Sequence, residues 1–380
     1  MSRTTFQIKR VLPWILALSL QVHAESLSAA TIGIVGDSIS TGGASHPSLA
    51  FDMDRLAALF GSAQKLAPDQ ATLDFLASEG VAAPANARRL DLSPREFVHP
   101  LVWIFNSFVT SVSSQYLDSL DNAWGTLLGR LRGTDEIYVA ARDGEKSVLA
   151  RQQIDRILDG VKGEALDHLF VFYTGNDLCA SVPEYMTSPS DYSDSIEEAI
   201  RYYMLNAKPK ANGDITHIWL VSPLNVSQLV TSPAIQSKRV LAYGKERSCK
   251  ELQSDQFEKN LAGNPSPKDE NIGLRPILAQ IFQGGPHGLC PTLFAYHDNN
   301  SLEVLQPVSD ALAGYRKELG ELSKRLNEVS PLFRVQNLSS AAPIEFAADE
   351  IGNDCFHLSV KGQMRIAKAL RSEMDQKLAP

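Results

Sequence analysis

The chain has 380 residues, with 36 basic and 44 acidic side chains, a formal net charge of −8 and 44% hydrophobic content. That acidic balance excludes a nucleic-acid partner, which needs basic surface, and tight electrostatic binding to an anionic membrane, leaving transient membrane contact at most. No internal repeat and no low-complexity tract interrupts it.

Residues 1–24 read as an export signal. Arg3, Lys9 and Arg10 form a basic start, and 11–22 is an apolar run shorter than the roughly 20 residues a bilayer span needs. Val22-His23-Ala24 offers small residues where a signal peptidase cuts. Cleavage after Ala24 is expected to leave one domain over 25–380, exported to a periplasm or to the medium. No Cys follows the cut, so no lipoprotein anchor is expected.

Residues 31–35 form an apolar, β-branched run of the kind found in interior parallel strands, and Gly36-Asp37-Ser38 follows at once. An insertion over 46–134 comes next, with helical patterns at 49–60, 70–78 and 117–131. Its run 101–109, with Trp103, Phe105 and Phe108, reads as the buried face of an element. A strand at 137–141 precedes Gly144, and helical spacing covers 147–159. A strand at 169–173 precedes Gly175-Asn176-Asp177, and helical spacing returns at 195–205. A strand at 218–221 is followed by a second insertion, 225–300, whose Pro, Gly, Asn and Lys content predicts a long irregular excursion. A helix at 309–329, a weaker fifth strand at 333–338, the tetrad Asp354-Cys355-Phe356-His357 and a helix from 359 to 377 complete the chain. This alternation predicts a three-layer α/β/α, flavodoxin-like fold with a mostly parallel five-stranded sheet.

Four cysteines, Cys179, Cys249, Cys290 and Cys355, lie beyond the signal. An even number in an exported chain predicts two disulfides, and four cysteines allow three pairings. Cys179 and Cys355 each border a motif, which suggests a Cys179–Cys355 pair with Cys249–Cys290 tying the second insertion; the other pairings stay open. No CxxC and no clustered His ligands occur, so no metal site is expected.

In an open parallel sheet, ligands bind beyond the carboxyl ends of the strands. Ser38, Gly144 and Asn176 each follow a strand by three residues, and Asp354–His357 lies beyond the last strand. All four candidates therefore fall on one edge of one sheet. A serine hydroxyl is a poor nucleophile without a base within hydrogen-bond reach. His357 would take the Ser38 proton and return it to the leaving alcohol, and Asp354 would orient the ring. Asp37 and Asp177 read as residues that hold their own turns, and His46 and His287 as solvent-facing loop residues.

With these residues in view, the chain resembles the SGNH hydrolases, also called the GDSL lipase family. GDSIS at 36–40, GND at 175–177 and DCFH at 354–357 match the nucleophile, Asn and Asp-x-x-His blocks. GNDLC at 175–179 and DCFHLS at 354–359 are similar to the phospholipase B-like branch, as is 309–322 with Tyr315 and Glu318-Leu319. The resemblance implies a catalytic set of Ser38, Asp354 and His357. It also implies an oxyanion hole made by the Ser38 backbone N–H, the Gly144 backbone N–H and the Asn176 side chain. It implies an ester hydrolase without cofactor, acting on acyl esters, with phospholipid or lysophospholipid as the leading expectation. A carbohydrate O-acetyl esterase, a lipid acyltransferase and, more distantly, a non-catalytic binding protein on the same scaffold are the alternatives. Oligomeric state is not readable.

Overall fold

A computed structural model describes residues 30–43, 45, 70–81, 87–90, 120–134, 136–210, 212–242, 245–254, 290–299 and 301–379. The signal expected at 1–24, the helix expected at 49–60, the run at 101–109, His46 and His287 lie outside the described residues.

In chain order the elements are β1 (Thr31–Gly36), α1 (Ser38–Thr41), α2 (Gln70–Ser78), β2 (Ala87–Arg89), α3 (Trp124–Leu131) and β3 (Glu136–Val139). Next come α4 (Ala150–Gly160), β4 (His168–Phe172), α5 (Pro189–Asn206) and β5 (Thr216–Val221). The second insertion contributes α6 (Gln228–Thr231), α7 (Pro233–Ser237), β6 (Arg239–Ala242), β7 (Lys245–Ser248), α8 (Cys249–Leu252) and α9 (Pro291–Asn299). Last are α10 (Gln306–Asn327), β8 (Phe333–Leu338) and α11 (Val360–Leu378).

The main sheet runs β2-β3-β1-β4-β5-β8, with every pairing parallel. All five strands expected from sequence are present, and without β2 their order is the flavodoxin-like one, with the reversal of direction at β1. Among the described residues, the short edge strand β2 makes the sheet six-stranded. Its sequence, Ala87-Arg88-Arg89, has no apolar alternation, so only its ladder to β3 reveals it. The second insertion is also more regular than its composition predicts, because β6 and β7 form an antiparallel hairpin.

Packing explains the layers. The central strand β4, His168–Phe172, is buried along its whole length because helices cover both faces. Helix α5 packs between α4 and α10 on one face, and α3 packs against α11 on the other. Trp124 of α3 is fully buried and meets Phe170 and Phe172 edge-on, with centroids 5.5 and 5.6 Å away. Helix α5 starts six residues before the helical spacing does. Ser188 accepts the Asp191 N–H and Pro189 takes the first helical position, a start signal carried by capping rather than by periodicity.

Candidate active site

Gly36 ends β1 at a point where β4 runs close by. A Cβ there would lie 2.3 Å from the Phe172 carbonyl oxygen, so only glycine allows the approach. Asp37 then caps α1. One carboxylate oxygen accepts the Ile39 N–H at 3.0 Å, and the other accepts the N–H groups of Thr174 and Gly175 at 2.8 and 3.2 Å. This aspartate does hold its own turn, but it also fastens that turn to the loop after β4. Burial pushes its pKa up to about 6, against the pull of those three donors. Ser38, only 7% exposed, opens α1 at the carboxyl end of β1.

The Asp354–His357 tetrad forms a closed turn between β8 and α11. The Gly352 N–H donates to the His357 carbonyl at 2.7 Å, and Ile351 and Leu358 form an antiparallel bridge. Asp354 Oδ1 accepts the backbone N–H groups of Phe356 and His357 at 3.1 and 3.0 Å. Its other oxygen is 2.5 Å from His357 Nδ1, and His357 Nε2 is 2.9 Å from Ser38 Oγ. The three side chains thus form one hydrogen-bonded chain, Asp354 to His357 to Ser38. Burial by itself would raise the Asp354 pKa, but the His357 ring and the two N–H donors outweigh it and hold the carboxyl below its ordinary value. Burial by itself would lower the His357 pKa, but Asp354 outweighs it and raises the imidazole above its ordinary value.

Gly144 sits in the left-handed region at φ 75°, with open space where a Cβ would be. The requirement for glycine there is therefore conformational rather than steric. Next to it, the Glu145 carbonyl accepts a hydrogen bond from Asn176 Nδ2 at 3.0 Å, which brings the Gly144 loop and the Asn176 loop together. A primary amide has two N–H donors, and this bond uses one of them. Asp177, expected to hold its own turn, instead ties that turn to another segment: it accepts the Ser147 N–H at 3.0 Å and the Ser147 hydroxyl at 2.8 Å. Tyr315, from the helix singled out by resemblance, donates to the Thr187 carbonyl at 2.5 Å and lies 3.4 Å from the Asp177 carbonyl.

Sequence reasoning missed the supports. Gln153 accepts the Gly36 N–H at 2.7 Å and donates to the Gly36 carbonyl at 2.8 Å and to Glu145 at 2.6 Å. Arg156 completes an ion pair with Glu145 at 3.3 Å. Both side chains project from the apolar face of α4, beside Ala150, Ile154 and Ile157. A glutamine and an arginine on a buried stripe were the available signal. Trp124, whose indole N–H lies 3.3 Å from Ser40 Oγ, had no comparable signal.

The disulfides are Cys179–Cys290 and Cys249–Cys355, which corrects the pairing suggested from motif proximity. The reason is topological. The Asn176 loop leaves β4, the His357 loop follows β8, and β5 lies between those strands. The second insertion emerges from β5 and supplies one cysteine to each neighbour.

A cleft of about 330 Å³ lies beside the same turn, walled by Phe75, Lys238, Asp349, Gly352, Asn353 and Lys361 among others. Neither Ser38 nor His357 lines it, so the hydrogen-bonded chain lies outside this cleft. Among the described residues, no group of three or more His, Cys, Asp or Glu is clustered as metal ligands would be. No helix of the described residues is long and apolar enough to cross a membrane.

No protein-family model matches the chain. No curated protein sequence matches it. Among solved structures, the chain is similar to a carbohydrate acetylesterase family member from Sinorhizobium meliloti, with 11% identity and a TM-score of 0.38, over 92% of this chain and 99% of that one. Another solved structure aligns with 11% identity and a TM-score of 0.39, over 93% of this chain and 100% of that one. Likenesses at this level assign no activity.

Proposed function

We propose that the protein is a serine ester hydrolase of the SGNH type that works through an acyl-enzyme on Ser38. One observation carries this reading: the hydrogen-bonded chain from Asp354 through His357 to Ser38, with 2.5 and 2.9 Å links, at the carboxyl edge of the sheet. His357, neutral and with Nδ1–H donated to Asp354, accepts the Ser38 proton as Oγ attacks the ester carbonyl. The tetrahedral oxyanion is met by the Ser38 and Gly144 backbone N–H groups and the free N–H of Asn176. The imidazolium returns its proton to the departing alcohol. Water, activated by the same ring, then releases the acid. The residues themselves supply nucleophile, base and donors, so the reaction calls for no cofactor.

The substrate class is an acyl ester. The residues around Asn176 and His357 that resemble the phospholipase B-like branch favour a lipid ester, and an acetylated carbohydrate differs only in the depth of acyl pocket required. Both disulfides suit an oxidising compartment, in line with export.

The test compares the chain with Ser38→Ala on mixed phospholipid and lysophospholipid, on acetylated xylan and on short soluble esters, measuring fatty acid, acetate and any new ester formed with an added alcohol. We expect fatty-acid release that disappears in the variant, and covalent labelling of Ser38 by an organophosphonate. Acetate without fatty acid would replace the lipid reading by the carbohydrate one, and a new ester in place of free acid would indicate acyl transfer. Failure to label Ser38, together with no cleavage of any ester, would favour a binding protein and sink the hydrolase assignment.

A further inference from the structure

The second insertion takes no part in the chemistry above, yet it grips both loops that do. Starting from the Asn176 loop, the Cys179–Cys290 disulfide leads to the start of α9. Thr292 reinforces that junction, donating its hydroxyl to the Leu178 carbonyl at 2.6 Å and its N–H to the Ala180 carbonyl at 3.2 Å. Further along α9, His297 Nε2 lies 2.9 Å from Gln253 Oε1. Gln253 is fully buried just past α8 and donates Nε2 to the Cys355 carbonyl at 2.7 Å. Helix α8 carries Cys249, whose disulfide to Cys355 returns the path to the catalytic turn. The result is a continuous circuit from one loop to the other: Asn176 loop, α9, Gln253, α8, His357 loop.

Three details show that the circuit is built rather than incidental. Gln236 Nε2 also donates to Gln253 Oε1, at 2.7 Å, so that oxygen accepts two N–H groups and the amide nitrogen is turned toward Cys355. Cys355 is a non-glycine residue at φ 59°, a conformation its Cβ disfavours. It is held there from two sides, by its sulfur and by its carbonyl. Lys238, from the same insertion, donates to the Ile351 and Gly352 carbonyls at the entry to the turn. Inside the circuit, Phe294 of α9 packs edge-on against Phe356 with centroids 5.7 Å apart, and Phe356 lies beside the His357 ring at 4.8 Å.

We propose that this circuit is a positioning clasp that sets the separation of the Asn176 donor from the Asp354–His357 pair, with Gln253 and His297 as its joint. The proposal rests on the ester-hydrolase reading and gives a role to the insertion that the reading left without one. The physical need is plain. The two loops leave strands separated by β5, so no ladder hydrogen bond fixes their spacing. Displacing a reacting group by about 1 Å can cost on the order of a hundredfold in rate. The circuit's other junctions are covalent or bonded to backbone. The His297–Gln253 contact is its side-chain-to-side-chain link, the place where it is weakest. Both are positioning residues, acting through the loops and touching no substrate.

The experiment uses the full chain with both disulfides verified by mass. Gln253→Leu, His297→Leu and His297→Gln are compared with wild type in two readouts. The first is kcat and KM on a soluble short-chain ester. The second is backbone hydrogen exchange over 175–180 and 352–358, which needs no activity. Gln253→Leu and His297→Leu are expected to lower kcat roughly ten- to a hundredfold, with KM within about twofold, and to speed exchange in both loops. His297→Gln, which keeps an N–H donor, restores most of both. Wild-type kcat and unchanged exchange in the leucine variants would overturn the clasp. So would a loss of kcat that His297→Gln does not restore. Should Gln253→Leu fail to fold, the half-buried His297 pair decides the matter. Should wild type cleave no ester and resist phosphonate labelling, the hydrolase reading falls, while the exchange readout still supports or overturns the clasp.

Discussion

In the proposed reaction His357 must be neutral to take the Ser38 proton, and its surroundings favour the charged form. Burial works against the charge, but Asp354, Asp143 and Asp37 together outweigh it and raise the imidazole pKa above its usual 6.5. Activity should therefore fall on the acid side with a midpoint above 6.5, the ordinary value for histidine. Asp354→Asn should move that midpoint down, by removing the nearest negative charge, and lower kcat by roughly 10³–10⁴ through loss of the tautomer. Profiles of kcat/KM against pH check both; an unmoved midpoint in the variant would separate Asp354 from His357. The three side chains that the structure joins, Ser38, Asp354 and His357, were legible at this scale, because the candidates fall three residues past apolar runs or in a tight turn. Their supports were not. Asp37 reaches Thr174 across 137 positions and Gln153 reaches Gly36 across 117, and no local pattern encodes a partner at that distance.

Strands and helices followed from periodicity where an apolar pattern marked them. Strand β4, buried throughout, was read within one residue at each end, and the helix expected at 70–78 has the bounds Gln70–Ser78. Strand β2 escaped because an edge strand needs no apolar pattern, and α5 was read short because its first turn is polar. The β4–β5 pair also carries a titration that the proposed chemistry does not use. His168 Nδ1 accepts the Trp219 indole N–H at 3.2 Å, so the folded ring is neutral, and protonation would destroy that acceptor. Burial comes first, then Arg132, His217 and Lys210 oppose the charge, with Asp167 favouring it, and the pKa falls to about 3. Between about 3 and 6.5, the unfolded chain binds a proton that the folded chain refuses, so stability falls as pH falls through that window. The urea midpoint should drop from pH 7 to pH 5 in wild type and drop less in His168→Asn. Equal drops in the two proteins would remove His168 from the acid response.

At the scale of the molecule, two disulfides join chain positions 111 and 106 residues apart, and each ties a loop of the candidate site to the second insertion. Closing loops of about 100 residues is worth up to roughly 4–5 kcal/mol per bridge in the chain-entropy view. Full reduction should lower the thermal midpoint and, by loosening the Asn176 and His357 loops, lower kcat as well. Calorimetry and turnover before and after dithiothreitol treatment test this. Unchanged activity with both bridges shown to be open would mean that the bridges stabilise the fold without positioning the site.

The sequence by itself determined the α/β class, the five principal strands, and which residues stand at the carboxyl edge, because strand burial and post-strand motifs are local patterns. It also determined that four cysteines were available to bridge. Only the tertiary structure decided which cysteines meet, that an insertion leaving β5 reaches the loops on both sides, and that Gln153, Glu145 and Gln253 brace them. Those outcomes depend on strand order and on which segments emerge between which neighbours, quantities that arise when the sheet closes and have no signature along the chain.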